Sequence, residues 1–287
     1  MARKRKKQSK SIYYLILLIG IVYFCYEPIA KALADSEQAV KVTANAELPA
    51  TERIPATASL EIPAPLKNTP EQILKRKGYT ASYNKEQKIP NWVAWELTPE
   101  KLVERESRTN KFLPDPDLPE HEAVTTNDYK GAGMDRGHLC PAGDNRWHWK
   151  AMQESFYMTN ICPQNHNLNR GDWKELEEAC RKWAQKEGKI YIVCGPVFYK
   201  QKHRTIGKEH RVTVPEAFFK VILCMHKSPK AIGFIYKNAS GNHPLDAYVN
   251  SVDEVERITG IDFFPALPDD VEKKVEATYN LKLWPKN

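Results

Sequence analysis

Apolar and polar positions alternate in short runs along much of this chain, and in a few places the alternation gives way to a helical period. Tyr79 to Tyr83 and Trp92 to Leu97 alternate as strands do, and Thr98-Pro99 then supplies a cap and a first-turn proline for a short helix. Ile190 to Cys194, Ala217 to Met225 and Ala231 to Tyr236 are nearly unbroken apolar runs that predict central strands. Ahead of them Trp173, Leu176, Cys180, Trp183 and Ala184 recur at helical spacing, with Lys174, Glu175, Glu178, Arg181 and Lys182 on the opposite face. Asp172 with Glu175 offers this helix a capping box, and Gly188 should stop it just after Glu187. Ser251 with Glu254 predicts the start of another helix, ending before Gly260. Residues 107 to 131, rich in Pro, Asp and Asn, predict a loop.

Two N-terminal stretches do not fit this pattern. Residues 1 to 34 begin with a basic cluster and continue through a wholly different run, Ile12 to Tyr26, that is almost entirely apolar. This is the pattern of export, either as a cleavable signal peptide or as an uncleaved signal anchor extended through Ile29 and Leu33. Either way the positive charge stays inside and the rest of the chain faces out, secreted, periplasmic or anchored to the membrane by residues 12 to 34. From Ala39 to about Pro70 the composition shifts to Ala, Thr, Glu and Pro, which buries too little surface to order itself and predicts a linker over residues 35 to 71. The remaining residues, 72 to 287, are enough for one domain of ordinary size.

Charge changes the picture less than its total suggests. The formal charge is +7, but seven Lys and Arg against Glu27 supply +6 of it before residue 35. A nucleic-acid partner therefore has to be argued locally. Lys200, Lys202, Arg204, Lys208 and Arg211 crowd one segment with His203 and His210, opposed only by Glu209. Such a run suits a polyanion and would give salt-dependent, sequence-blind affinity; it also suits a solvated loop. Cys25 falls in the apolar run, leaving an odd set of Cys140, Cys162, Cys180, Cys194 and Cys224, so one or two disulfides or simply buried thiols are open readings. The absence of a CxxC spacing argues against structural zinc.

Candidate chemistry concentrates in Asp135-Arg136-Gly137-His138. If this segment is extended, Arg136 and His138 share one face. Histidine can take a proton from water near neutral pH, and arginine offers a planar fork to phosphate oxygens. Asn169 lies one helical turn ahead of Trp173 and can place its amide oxygen near Glu177. Glu177 sits at the edge of the apolar stripe, where an unpaired carboxylate is expensive, so it should meet a metal-bound water or a basic side chain, or else snorkel to solvent.

The DRGH block, then Thr159-Asn160 with Pro163-Gln164, then Leu168-Asn169 with Trp173, Leu176 and Glu177, resembles the DNA/RNA non-specific endonucleases. These are ββα-metal nucleases that include endonuclease G. The resemblance extends upstream to Tyr79–Tyr83 and Trp92–Leu97, and downstream to Gly195–Phe198, Phe218–Val221 and Gly260–Pro265, covering roughly residues 72 to 284. It implies an α+β fold with a central mixed or antiparallel sheet, packed helices and a ββα-metal element holding His138 and Asn169. It further implies that His138 is the general base, that Asn169 is the direct ligand of Mg2+ or Mn2+, and that Glu177 holds the metal's water shell. Asn160 would help hold the active site. Arg108, with Arg105 in reserve, and Arg136 would offset charge on the phosphoryl group. Lys200, Lys202 and Arg204 would follow the polymer, DNA or RNA, and the product would carry a 5′-phosphate. Two rival readings keep the same residues: an exported nucleic-acid-binding uptake protein without turnover, and a phosphodiesterase of small substrates. Cys140-Pro141 replaces the small residues usual after the DRGH block, and Pro141 should end the strand or leave it at an edge, which opens the placement of Asp144 and Asn145.

Overall fold

The computed structural model describes Ile54 and residues 58 to 286. The segment read as a signal or anchor, and the first part of the linker, lie outside the described residues. Strands are numbered in chain order. Seven of them make one sheet: β1 (Gln72–Lys75), β2 (Thr80–Asn84), β3 (Ile89–Leu97), β6 (Ile190–Val197), β9 (Ala217–Cys224), β10 (Lys230–Lys237) and β11 (Val249–Asn250), in that spatial order. Every neighbouring pair is antiparallel. Two small ribbons stand apart, β4 (Asp135–His138) with β5 (Ile161–Gln164), and β7 (Thr205–Ile206) with β8 (Val212–Thr213).

Both faces of the large sheet are buried, which explains why its inner strands read as continuous apolar runs. On one face Val93, Trp95, Ile192, Phe218, Ile222, Phe234 and Tyr236 pack against the stripe of helix α3 (Asp172–Glu187). Helices α1 (Trp149–Ser155) and α2 (His166–Arg170) precede it in the chain. On the other face Trp92, Val193, Phe219, Val221 and Leu223 pack against α4 (Val252–Thr259) and α5 (Asp269–Glu276). Period-two alternation along each strand delivers one set of residues to each layer.

Several expectations shift in detail. The end of the expected linker belongs to the domain: Leu60 is buried, and Ala58, Ile62 and Leu66 pack beside it on the α4 face. Burying one leucine contributes roughly 1.5–3 kcal/mol, enough to hold a proline-rich strand of chain against a ready-made apolar layer. The capping box at Asp172 and Glu175 does not form. Gly171 is the N-cap, and the Asp172 carboxylate instead accepts hydrogen bonds from the Tyr248 hydroxyl and from the backbone N–H of Asn242 at 2.8 Å. Gly188 ends the helix as expected, at φ +83°, a conformation other residues adopt only under strain. The segment from Pro99 to Leu102 is a single 3-10 turn without a side-chain cap from Thr98. All five described cysteines are buried free thiols.

The β4–β5 ribbon and helix α3 form the ββα element that positions the site. The pairing sets Gly137 opposite Cys162 and His138 opposite Ile161. A Cβ at Gly137 would lie 2.2 Å from Oε1 of Gln164, so the close crossing of β5 requires glycine between Arg136 and His138. β4 already ends at His138, and Pro141 instead caps a 3-10 helix, Ala142–Asn145, which carries Asp144 and Asn145 inward.

Candidate active site

His138 leaves β4 at the edge of the apolar layer, and its ring is wedged between two phenyl groups. The centroid of Phe156 lies 4.7 Å away, edge-on, and that of Phe112 lies 5.4 Å away. Each phenyl carries an arginine on its surface: Arg108 is 5.4 Å from the Phe156 centroid, and Arg136 is 4.3 Å from that of Phe112. The imidazole Nε2 is buried without a hydrogen-bond partner. Burial, reinforced by the charges of Arg108 and Arg136, pushes the His138 pKa down to about 3. The ring is therefore neutral at neutral pH, the state a proton acceptor needs.

Asn169 and Glu177 face the same cleft, a hollow of about 590 Å3 that also includes Arg108, His138, Lys174 and Arg181. The Asn169 amide is oriented from behind: its Nδ2 donates to Oδ2 of Asp135 at 2.8 Å, which leaves the carbonyl oxygen as its free coordinating atom. Asp135 lies within hydrogen-bond range of His166 and 4.0 Å from Arg170. Burial raises the Asp135 pKa, but the hydrogen bonds from Asn169 and His166 and the charge of Arg170 outweigh it and hold the carboxyl below its ordinary value.

Glu177 projects from α3 one turn beyond Trp173. Burial lifts its pKa to about 7 against the opposing charges of Lys220 and Arg181, with Asp144 adding to the rise. Lys220 lies beneath Glu177 on β9, fully buried, with Nζ 4.3 Å from the Trp173 ring and 5.3 Å from that of Trp95. That ammonium has no hydrogen-bond acceptor. Burial disfavours it, but Cys194, Glu177, Cys180 and Asp144 more than offset the loss, and its pKa is raised. Asp144 is held by Trp95 Nε1 and by Arg181, each at 3.1 Å.

Four of the expected residues, Arg108, His138, Asn169 and Glu177, therefore meet in one cleft, and Arg136 lines the adjoining hollow. Asn160 does not reach it. Its side chain accepts from the backbone N–H of Cys140 at 2.9 Å and donates to the carbonyls of Cys140 and Ser155 at 2.8 Å, so it fixes the chain after His138 and has no group left for substrate. Lys200 and Lys202 are exposed on a loop and line none of the hollows that continue the cleft, whereas Arg204 and Lys208 do. Arg105 is exposed outside the cleft, and its backbone N–H bonds to Arg146. His210 of the basic run is structural: it is buried between Asp128 and the carbonyl of His121. The residues missed in the sequence are Asp135 as the support of Asn169, the two phenyl walls, and the Lys220, Asp144 and Arg181 group. A single lysine inside the apolar run 217 to 224 was the available signal for Lys220.

The pattern of DNA/RNA non-specific endonucleases matches residues 58–270. The chain is 38% identical over 218 residues to the mitochondrial nuclease EXOG of Danio rerio, covering 69% of this chain and 63% of that protein. It is 34% identical over 228 residues to a nuclease of Nostoc, covering 74% and 81%, and 32% identical over 213 residues to human mitochondrial endonuclease G, covering 68% and 70%. It thus spans somewhat under two thirds of the length of the first of these relatives. A crystal structure of an EndoG/EndoGI complex superposes with a TM-score of 0.64 at 26% identity, over 69% of this chain and 87% of that one. With the β4–β5–α3 element carrying the motif residues into one cleft, and the match extending through most of the domain, the chain belongs to the DNA/RNA non-specific endonuclease family.

Proposed function

We propose that this chain is a metal-dependent, sequence-non-specific endonuclease that hydrolyses phosphodiester bonds of DNA or RNA. The observation that carries this reading is the continuity of the cleft. It shares Asn169 and Arg170 with the hollow lined by Arg136 and Lys130, and that hollow shares Asn127 and Lys130 with one lined by Arg204 and Lys208. On its other side it shares Arg108 and Arg181 with a hollow lined by Arg146 and Lys182. An open, basic groove passing through the reactive residues suits a polyanionic polymer, and phosphate contacts alone carry no sequence information. A small-substrate phosphodiesterase would need a closed pocket, and a binding-only protein would have no use for an unpartnered, neutral imidazole.

His138 accepts the proton of the attacking water. Its Nε2 has no competing hydrogen-bond partner, and Arg108 and Arg136 stand on the phenyl rings beside it. Those arginines then balance the charge that develops on the phosphoryl oxygens. A divalent cation fits the remaining donor set, because a neutral amide oxygen and one carboxylate are what a largely hydrated magnesium ion takes from a protein. Asn169 would bind it directly and Glu177 would hold its waters. Such an ion, Mg2+ or Mn2+, would supply positive charge to the phosphoryl group and its leaving group. Plasmid nicking by the full chain, with and without chelator, tests the proposal: cleavage that persists in excess chelator overturns the metal, and no cleavage with any of Mg2+, Mn2+ or Ca2+ overturns turnover.

Export through residues 1 to 34 is part of the same proposal, resting on the basic start and the apolar run. Detection of the chain outside the cytoplasm supports it, and the length of the exported form separates signal from anchor. Retention of the intact chain in the cytoplasm sinks it.

A further inference from the structure

A second group of acids lies on the far face of the sheet, away from the cleft. Asp253 and Glu256 are three residues apart on α4 and so share one side of it, and Glu276 is the last residue of α5, which packs alongside. One carboxylate oxygen from each lies within 4.8 Å of the other two. Glu276 is only 5% exposed, and its Oε1 is buried with no hydrogen-bond partner. An unpaired buried carboxylate oxygen is costly, and this one sits at the negative end of a helix, where an anion is disfavoured further.

We propose that Asp253, Glu256 and Glu276 bind a divalent cation with calcium's size and oxygen preference, joining α4 to α5. Calcium holds oxygens at about 2.3–2.6 Å, so ligands across the ion stand at most about 5 Å apart, and the three oxygens here fall inside that limit. Magnesium keeps most of its waters and has less use for a three-carboxylate cage. The ligands are prepared for this role. Glu256 is held by the backbone N–H of Phe263 at 2.7 Å, leaving its second oxygen free, and exposed Asp253 provides the way in. Besides its burial, the charges that act most strongly on Glu276 are carboxylates, those of Glu256, Glu272, Asp253 and Asp262. A cation removes that repulsion.

The test uses the full chain carrying Asn169→Ala, so that the cleft contributes least, stripped with chelator and titrated with calcium by calorimetry and by thermal unfolding. One bound ion and a rise in Tm are expected. Asp253→Asn and Glu276→Gln should each weaken binding about tenfold or more and erase the Tm response. Glu276→Gln without calcium should be at least as heat-stable as its parent, so lost binding there is not misfolding. In the chain with Asn169 intact, Asp253→Asn should leave magnesium-supported cleavage unchanged, which keeps this site separate from the nuclease reading. Absence of binding at millimolar calcium overturns the proposal, as does affinity unchanged in both variants. A Tm that responds to acid but to no divalent cation also overturns it, because a shared proton then fills the cation's place.

Discussion

Strand β9 has two unlike faces. Phe219, Val221 and Leu223 point into the apolar layer that packs against α4 and α5. Phe218, Lys220 and Ile222 point toward α3, and there the middle position is a fully buried cation under two indoles, Glu177 and Asp144. Taking an ion out of water costs several kcal/mol even after relaxation, so the cleft face of β9 carries a cost, offset by Glu177 and Asp144, that its other face does not. What it gains is control of charge: a neutral histidine, a carboxyl poised near pH 7 and a pre-set amide stand within one hollow. One face of the sheet holds the domain together, and the other arranges reactivity.

The most severe break in this contrast should come from His138→Ala, with a loss of about 10²–10⁴-fold in cleavage rate while DNA binding and Tm stay close to the parent's. Retention of more than a tenth of the rate would remove His138 from the role of base. Next, Asp135→Ala frees the Asn169 amide and should weaken apparent metal affinity about 10–100-fold, with kcat largely recovered at saturating magnesium. A magnesium titration reads this directly, and an unchanged midpoint would mean that Asp135 does not orient the ligand.

The two faces of β9 should then differ in their pH response. Leu223→Ala should cost about 2–5 kcal/mol in denaturant unfolding without moving the pH profile of kcat/KM. Lys220→Met should lower stability as well, since it leaves Glu177 and Asp144 without the buried cation that offsets them. It should also move the profile's acid limb, because Lys220 opposes the rise in the pKa of Glu177. Without it Glu177 holds its proton to higher pH, so activity that needs the carboxylate should begin above the parent's limb near pH 7. Added magnesium should shift the limb the other way, as cation and proton compete. His138, pushed down to about 3, should contribute no limb of its own near neutrality. A limb that ignores both Lys220→Met and magnesium would refute this assignment.

The smallest effect concerns the groove. Arg204→Ser with Lys208→Ser should flatten the salt dependence of DNA affinity by about 0.9 in slope for each phosphate no longer neutralised, and Lys200→Ser with Lys202→Ser should barely change it. Equal effects from the two pairs would mean that the whole basic run tracks the polymer.

Much of the scaffold was legible because it obeys local rules. The apolar runs at 190, 217 and 231 became central strands, the stripe from Trp173 to Ala184 became the core face of α3, and Gly188 and Gly260 ended their helices. The DRGH block gave His138 and Arg136 by simple alternation. Misreadings came where a local group had a better distant partner. Asp172 leaves its capping position because Tyr248 and the backbone near Asn242, some seventy residues on, offer it more hydrogen bonds. Asn160, expected to help hold the active site, does so through the backbone around Cys140 and not by reaching the cleft. Residues 58 to 66 are too polar to order alone, yet a few apolar side chains suffice when the surface that receives them is already built.

Period, punctuation and motif spacing are properties of neighbouring residues, and they were enough for β2, β3, β6, β9 and β10, the main helix, the histidine and arginine of β4 and the asparagine ahead of α3. Only the tertiary structure decided that Asp135 aims Asn169, that Lys220 lies beneath Glu177, that Arg204 rather than Lys200 continues the groove, and that Glu276 meets Asp253 and Glu256. Each of these joins elements distant along the chain, and charge acts through space and through the burial that the finished fold imposes.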